Sequence, residues 1–312
     1  MTPPAARGAR GPILLFGATG QIGWDLLRGL SPLARVVAPS RSEVDLADEP
    51  ALRNAIRDTA PLLIVNAAGY TNVDGAETDE AAAHAVNARA PGVMAQEAAR
   101  LRVPFVHYST DYVFDGNAAD PYKETDSTRP LNAYGRTKCD GEAEVAASGG
   151  HCLVFRTSWV YSARGKNFLL TIERLARERE ELRVVSDQVG SPTPARLAAD
   201  ATVLALARCW RPGASDPLSG ASGLYHLTAA GETSWHGFAA AIVDHMRAAS
   251  DPRLRARAVT AITTAEFPRP AARPARSVLD CTKLEERFGL SLPDWRTGLA
   301  LTLAERAGLT PP

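Results

Sequence analysis

Apolar residues along this chain come in short unbroken runs, separated by longer stretches in which they recur every three or four positions. The runs are Ile13-Leu14-Leu15-Phe16, Val36-Val37, Leu62-Leu63-Ile64-Val65, Phe105-Val106-His107-Tyr108 and Cys152-Leu153-Val154-Phe155. Runs this short, without alternation, fit strands buried on both faces of a parallel sheet. Between them Ile22–Leu30, Ala51–Arg57, Ala81–Arg102 and Asn132–Ala147 carry helical spacing. Strands alternating with helices at this rhythm predict an α/β fold built on a doubly wound parallel sheet.

The rhythm breaks after Trp159. Helical spacing returns over Asn167–Arg179 and Leu197–Cys209, with a short strand at Leu182–Val185 between them. Arg211–Ser222 strings together Pro, Gly, Ser and Asp and reads as a surface linker, and Phe267–Pro274 holds three prolines and reads as a loop. The expected organisation is a disordered tail over residues 1–10, a first domain over 11–165, and a smaller α/β lobe over 166–312. Segments about 195–225 of that lobe are expected to return to the first domain.

Composition narrows the function classes. With 35 basic and 35 acidic residues the net charge is zero, which disfavours nucleic-acid and polybasic membrane binding. No run of 18 apolar residues offers a membrane span, and Met1–Arg10 lacks the apolar core of a signal peptide. The four cysteines form no CxxC pair, so neither structural zinc nor a disulfide framework is expected, and a cytoplasmic setting fits. Lysine is scarce: only Lys123, Lys138, Lys166 and Lys283 occur.

Gly17-Ala18-Thr19-Gly20-Gln21-Ile22-Gly23 follows the first strand directly and opens the first helix. Glycines there let the chain turn sharply and bring backbone N–H groups to a pyrophosphate at the helix N-terminus. A Rossmann-type dinucleotide site is the reading. The second strand is followed by Ala38-Pro39-Ser40-Arg41-Ser42, with no acid to take a ribose 2′-hydroxyl. Arg41 could instead meet a 2′-phosphate, which favours NADPH and leaves NADH as the alternative. Asp45-Leu46 would border the base, although Asp45 could equally cap the next helix.

Tyr134-Gly135-Arg136-Thr137-Lys138 sets a phenol and one of the four lysines one helical turn apart on the same face. Ser109-Thr110 ends the preceding strand, at the sheet edge where such folds bind ligands. A carbonyl reductase needs these parts: a hydroxyl on the carbonyl oxygen, a tyrosine to protonate it, and a cation to lower the phenol pKa from about 10. Thr110, Tyr134 and Lys138 are the catalytic candidates.

With these residues in place, the chain resembles the dTDP-4-dehydrorhamnose reductase family of extended short-chain dehydrogenases/reductases. The matching stretches are Leu15–Trp24, Asn66–Asp74, Ser109–Gly116, Tyr134–Lys138, Arg156–Tyr161, Asp187–Thr193 and Arg273–Asp280. The resemblance implies reduction of the 4-keto group of a dTDP-4-keto-6-deoxyhexose, giving dTDP-L-rhamnose from dTDP-4-dehydro-L-rhamnose. It implies coenzyme contacts at Gly17, Gly20, Gln21, Ile22, Gly23, Asp45, Leu46, Ala68, Gly69, Tyr70 and Thr71, besides Tyr134 and Lys138. It implies a sugar-nucleotide pocket lined by Val73, Thr110, Asp111, Trp159 and Gln188. Some relatives carry a glutamate, implicated in a Mg2+-bridged homodimer, where this chain has Asp25, which leaves both ion and dimer open. Related 4,6-dehydratases use an Asp-Glu pair after the threonine. Here Tyr112 follows Asp111, which disfavours elimination and leaves simple reduction.

Two other readings stay open at this point. One is a deoxysugar reductase of specialised metabolism such as dTDP-dihydrostreptose synthase; the other is a non-catalytic NADP-binding regulatory subunit. The six histidines show no metal spacing, and His107, inside a strand, is expected to be a core residue. Trp235 and Trp295 are expected to be packing residues of the small lobe.

Overall fold

A computed structural model of the chain describes residues 11–308, so the expected tail over 1–10 lies outside the described residues. The alternating first half runs β1 (Ile13–Phe16), α1 (Gln21–Leu30), β2 (Val36–Val37), α2 (Glu49–Thr59), β3 (Leu63–Asn66), then α3 (Val73–Ala76) and α4 (Glu80–His84). It continues through α5 (Ala90–Leu101), β4 (Phe105–Thr110), α6 (Ala133–Ala147) and β5 (Cys152–Thr157). The second half holds β6 (Val160–Tyr161), α7 (Phe168–Glu178), β7 (Glu181–Val185), β8 (Val189–Gly190), β9 (Thr193–Pro194) and α8 (Ala195–Cys209). After these come β10 (Gly223–His226), β11 (Thr233–Ser234), α9 (Trp235–Ala248), β12 (Ala258–Ile262), α10 (Thr282–Phe288) and α11 (Trp295–Ala307).

Six strands form one all-parallel sheet in the order β10-β5-β4-β3-β1-β2. β1, β3 and β4 are buried at every position, as their uninterrupted apolar runs require. One face of the sheet packs on α1 and α8 through Leu26, Leu30, Ala198 and Ala205, and the other on α2 and α5 through Leu52, Ile56, Val93 and Met94. β10 and α8 thus come from the second half of the chain to complete the first sheet. α10 follows them, placing Leu284 and Phe288 in the same core.

The remaining elements build a second core around Tyr161, Phe238, Trp295 and Leu299, with β7 and β12 paired in parallel beside it. Trp295 is fully buried there, in line with its expected packing role.

Two expectations need correcting. The helix expected over Ala81–Arg102 is interrupted by a π turn at Ala85–Arg89, where the Ala90 amide reaches back to the Ala85 carbonyl. Pro91 has no N–H to give the Asn87 carbonyl four residues back, so a regular α ladder cannot pass this point. The second correction concerns the linker over Arg211–Ser222. It sinks Leu218 and Ala221 fully into the first core, anchoring the approach to β10.

Candidate active site

The site forms where β1, β3 and β4 end, the edge at which open parallel sheets bind ligands. Gly17 leaves β1 with φ +83°, and a Cβ on it would come within 2.5 Å of the Ala68 amide nitrogen. Gly23 lies so close beneath the turn that a Cβ would meet the Gly17 carbonyl at 2.0 Å. No other residue fits either place. Gly20 caps α1 without a side-chain hydrogen bond, so the amides of Gln21, Ile22 and Gly23 keep no side-chain partner. Uncapped first-turn amides at the positive end of a helix suit a pyrophosphate. The turn fits a dinucleotide.

Gln21 does more than its place in the glycine turn suggested. Its side-chain amide donates to the Val160 carbonyl (3.3 Å) and accepts from Ser162 Oγ and Asn167 Nδ2 (both 3.0 Å). That ties the start of α1 to the loop that leads into α7. The Gln21 backbone amide and one hydrogen of its side-chain nitrogen are left for a ligand.

Beyond β2 the chain turns on itself. Glu43 accepts from the Ser40 amide and hydroxyl (both 2.7 Å), and these bonds hold its carboxyl below the usual range. The nearest acid is therefore consumed by its own turn, while Arg41 stands exposed. Asp45 is exposed and accepts from Ala47 N (3.0 Å), whereas the cap of α2 is Asp48 through Ala51 N (3.0 Å). The capping role considered for Asp45 belongs to Asp48. Leu46 packs half-buried against the second face of the sheet.

Ala68, Gly69, Tyr70 and Thr71 follow β3 in extended loop. The loop is pinned by Asn87, a residue the sequence reading passed over. Asn87 is fully buried in the π turn; it accepts from the Tyr70 amide (2.8 Å), donates to the Tyr70 carbonyl (3.0 Å) and reaches Thr137 Oγ1 on α6 (3.2 Å). One irregular turn thereby fixes the loop and the tyrosine-bearing helix together. Pro91 was the available signal for it. Val73 opens α3 beside this loop and is half-buried.

Asn132 caps α6 by accepting from Gly135 N (2.7 Å), which sets Tyr134 in the first turn and Lys138 in the second. Burial pushes the Tyr134 phenol up to about 12, with the Thr110 hydroxyl pulling the other way. Lys138 Nζ donates to the Tyr108 carbonyl (2.5 Å) and lies 3.3 Å from His107 Nε2. Burial pulls the lysine down to about 8, opposed by Glu142.

Thr110 donates to Asp111 Oδ1 at 3.1 Å and accepts from the Tyr112 amide at 3.2 Å. The other Asp111 oxygen is buried without a partner, and burial raises this carboxyl to about 7. Tyr112, where dehydratases place an acid, packs its ring edge-on to Tyr134 at 5.9 Å.

Trp159 adopts φ +47°, a left-handed backbone that a bulky residue occupies only under constraint. Trp235 lies parallel to it, ring centroids 3.5 Å apart and planes within 4°. Gly190 approaches so closely that a Cβ there would come within 2.6 Å of Trp159 Cε2. Trp235, expected to be mere packing, is the ring that holds Trp159. Gln188 is buried and donates to Thr264 Oγ1 (3.0 Å). Arg273 and Arg269 both grip Asp74, which leashes the proline-rich loop to the start of α3.

Asp25, the residue at issue for a metal, is buried with the Arg196 guanidinium 3.7 Å away. Asp25 Oδ1 itself is buried without a hydrogen-bond partner. Among the described residues no group of three His, Cys, Asp or Glu side chains could hold a metal ion.

A doubly wound parallel sheet with a glycine turn, a strand-end threonine and a helical Tyr-Lys pair defines an extended short-chain dehydrogenase/reductase. The chain matches the family described as RmlD substrate binding domain over residues 11–307. It is 51% identical over 294 residues to the dTDP-4-dehydrorhamnose reductase of Burkholderia thailandensis, covering 94% of this chain and 98% of that one. The enzyme of the same name from Escherichia coli K12 is 42% identical over 297 residues, covering 94% and 97%. A crystal structure of a dTDP-4-dehydrorhamnose reductase from Clostridium acetobutylicum superposes with TM-score 0.85 at 33% identity, over 94% of this chain and 99% of that one. The Bacillus anthracis enzyme in complex with NADP gives TM-score 0.83 at 30% identity, over 95% and 100%. The chain belongs to the dTDP-4-dehydrorhamnose reductase family.

Proposed function

We propose that the protein reduces the 4-keto group of a dTDP-linked 4-keto-6-deoxyhexose, dTDP-4-dehydro-L-rhamnose, to give dTDP-L-rhamnose. The observation that carries this is the Thr110 hydroxyl, at the end of β4, in hydrogen-bond contact with Tyr134, one helical turn before Lys138. Reduction adds a hydride to the carbonyl carbon and a proton to its oxygen. A bound reduced nicotinamide supplies the hydride. Gly17, Gly20 and the amides of Gln21–Gly23 would hold its pyrophosphate, and Ala68–Thr71 would border it. NADPH is favoured over NADH, because Glu43 is spent on Ser40 and Arg41 is exposed at the end of β2. The NADP complex of the Bacillus anthracis relative points the same way.

The protein's own residues handle the oxygen. The Tyr134 phenol is protonated at neutral pH, and burial makes it a weaker acid still, so it can give its proton only as charge develops on the carbonyl oxygen. To orient that oxygen the Thr110 hydroxyl would turn its one proton from Asp111 to the substrate. The lobe formed mainly by residues 166–312 would receive the nucleotide sugar, with Val73, Asp111, Trp159 and Gln188 around it. Four free thiols fit a reducing cytoplasm.

The test uses NADPH with a panel of dTDP-4-keto sugars and identifies the product. Tyr134→Phe keeps the ring and removes the proton, so turnover should fall by about 10²–10⁴-fold while NADPH still binds. Activity within a few-fold of wild type would remove Tyr134 from its role.

A further inference from the structure

Gln21 opens α1, and its side chain reaches the loop between β6 and α7. The Val160 carbonyl can only accept, so the nitrogen of the Gln21 amide faces it, at 3.3 Å. That turns Oε1 toward Ser162 Oγ and Asn167 Nδ2, both at 3.0 Å. Asn167 is oriented in turn, because its own oxygen accepts from the Leu170 amide (3.0 Å) and caps α7. The Ser162 hydroxyl and the Asn167 side-chain nitrogen together bring three hydrogens to this cluster. They meet three oxygens, Gln21 Oε1 and the carbonyls of Ser162 and Arg164. Without Gln21 Oε1 the three hydrogens share two carbonyls.

Both ends of the cluster lead to the same indole. Val160 directly follows Trp159, whose carbonyl accepts from the Thr193 amide (3.3 Å). Asn167 directly precedes Phe168, whose ring lies 4.5 Å from that of Trp235, and Trp235 is stacked on Trp159. Gln21, Val160, Trp159, Trp235, Phe168 and Asn167 therefore close a ring of contacts. On its other side Gln21 faces the coenzyme turn. Its backbone amide belongs to the uncapped first turn of α1, and one hydrogen of its side-chain nitrogen has no partner among the described residues. Arg164 lies over the Trp24 ring at 4.3 Å, which gives the loop a second hold on α1 that does not pass through Gln21.

We infer that Gln21 is a positioning residue that relays occupancy of the glycine turn to the Trp159–Trp235 pair, and so couples coenzyme binding to binding of the nucleotide sugar. A pyrophosphate on the first-turn amides fixes the start of α1. With it is fixed the one side chain that holds both the residue after Trp159 and the cap of α7. By linkage the nucleotide sugar strengthens coenzyme binding by the same factor. The inference rests on the proposed function for where the two ligands sit, but its first test needs no sugar and no turnover.

The chain has five tryptophans, few enough to follow singly. The protein is labelled with 5-fluorotryptophan, and the signals of Trp159 and Trp235 are identified by their loss in Trp159→Phe and Trp235→Phe. It is then saturated with 2′-phospho-ADP-ribose, which carries the pyrophosphate but no nicotinamide to touch the pair. Both signals should move in wild type and stay in place in Gln21→Leu at equal saturation. Unmoved wild-type signals, or equal shifts in the variant, overturn the inference. Calorimetric titration supplies the second readout. Wild type should bind dTDP-L-rhamnose about tenfold tighter with NADPH present, and the factor should fall to near one in Gln21→Leu. A role confined to packing would lower the melting temperature and leave that factor intact, which would refute the relay. Should Gln21→Leu fail to fold, Asn167→Ser takes its place, because serine still caps α7 but is too short to reach Gln21. Both shifts should then shrink, and undiminished shifts refute the relay. If dTDP-L-rhamnose fails to bind while the fluorine signals behave as stated, the proposed substrate is wrong and the relay stands.

Discussion

The side chains around the site are set by burial as much as by their partners. Asp111 is the clearest case, with one oxygen bonded to Thr110 and the other orphaned. Its carboxyl rises from 3.8 to about 7 because burial penalises the charge. A raised acid in the folded state stabilises only while it stays protonated, so it costs stability as pH climbs from 3.8 through about 7. Asp111→Asn keeps an oxygen for Thr110 and cannot ionise. Its melting temperature should match wild type near pH 4 and exceed it increasingly toward pH 8, the full difference amounting to no more than about 4 kcal/mol. A gap that is constant across this range would show that Asp111 ionises freely.

Trp159 makes a second residue-scale prediction. Its backbone is left-handed and its indole is stacked on Trp235. Trp235→Ala should release the ring, raising KM for the nucleotide sugar several-fold while NADPH affinity stays put. A loss of NADPH binding, with sugar kinetics intact, would place the pair on the coenzyme side.

At the scale of elements, what could be foreseen was whatever depends on local spacing. The Gly17–Gly23 turn, the Tyr134–Lys138 pair and five of the six strands of the main sheet were legible because each is written within a few consecutive positions. Asn87, Trp235 and the core role of Leu218 were not. Each matters only through a partner far away in sequence: Tyr70 and Thr137, Trp159, and the sheet. Asp45 and Asp48 show the same limit on a smaller scale, since either could cap a helix and only the backbone decides.

The packing of α2 on α5 supplies the electrostatic counterpart. Glu97 on α5 is 2% exposed and takes hydrogen bonds from Arg53, Arg57 and Arg100. Arg57 above all, against the cost of burial, holds its carboxyl at about 2. A depressed carboxyl stabilises the fold above the unfolded value of 4.5, and that stability is lost as pH falls through about 2. Glu97→Gln should therefore cost about 2 kcal/mol at pH 7, a value already reduced for the water around the arginines. Denaturant titration at pH 7 and pH 3 should show the deficit shrinking in acid. An equal deficit at both would make Glu97 a packing residue.

Across the whole molecule, the chain is interleaved rather than divided. The sheet closes with β10, and α8 covers the apolar stripe of α1. A fragment ending at residue 165 keeps five strands of the sheet and the glycine turn but leaves the β5 edge and the α1 face bare. Unpaired edges and exposed apolar faces aggregate. The fragment should be insoluble when expressed alone, and should be rescued by co-expression of residues 166–312. A soluble, monodisperse fragment that binds NADPH would contradict this.

The same interleaving shapes how the protein is made. Synthesis runs from the N-terminus, so five strands have left the ribosome before β10 and α8 exist to cover them. For that interval the growing chain presents a parallel sheet with an open edge, the kind of transient species chaperones bind. A stop codon or a stall within the second half would therefore release an adhesive intermediate, not half an enzyme. Selection on codon pace and chaperone contact should fall most heavily on the stretch between β5 and β10.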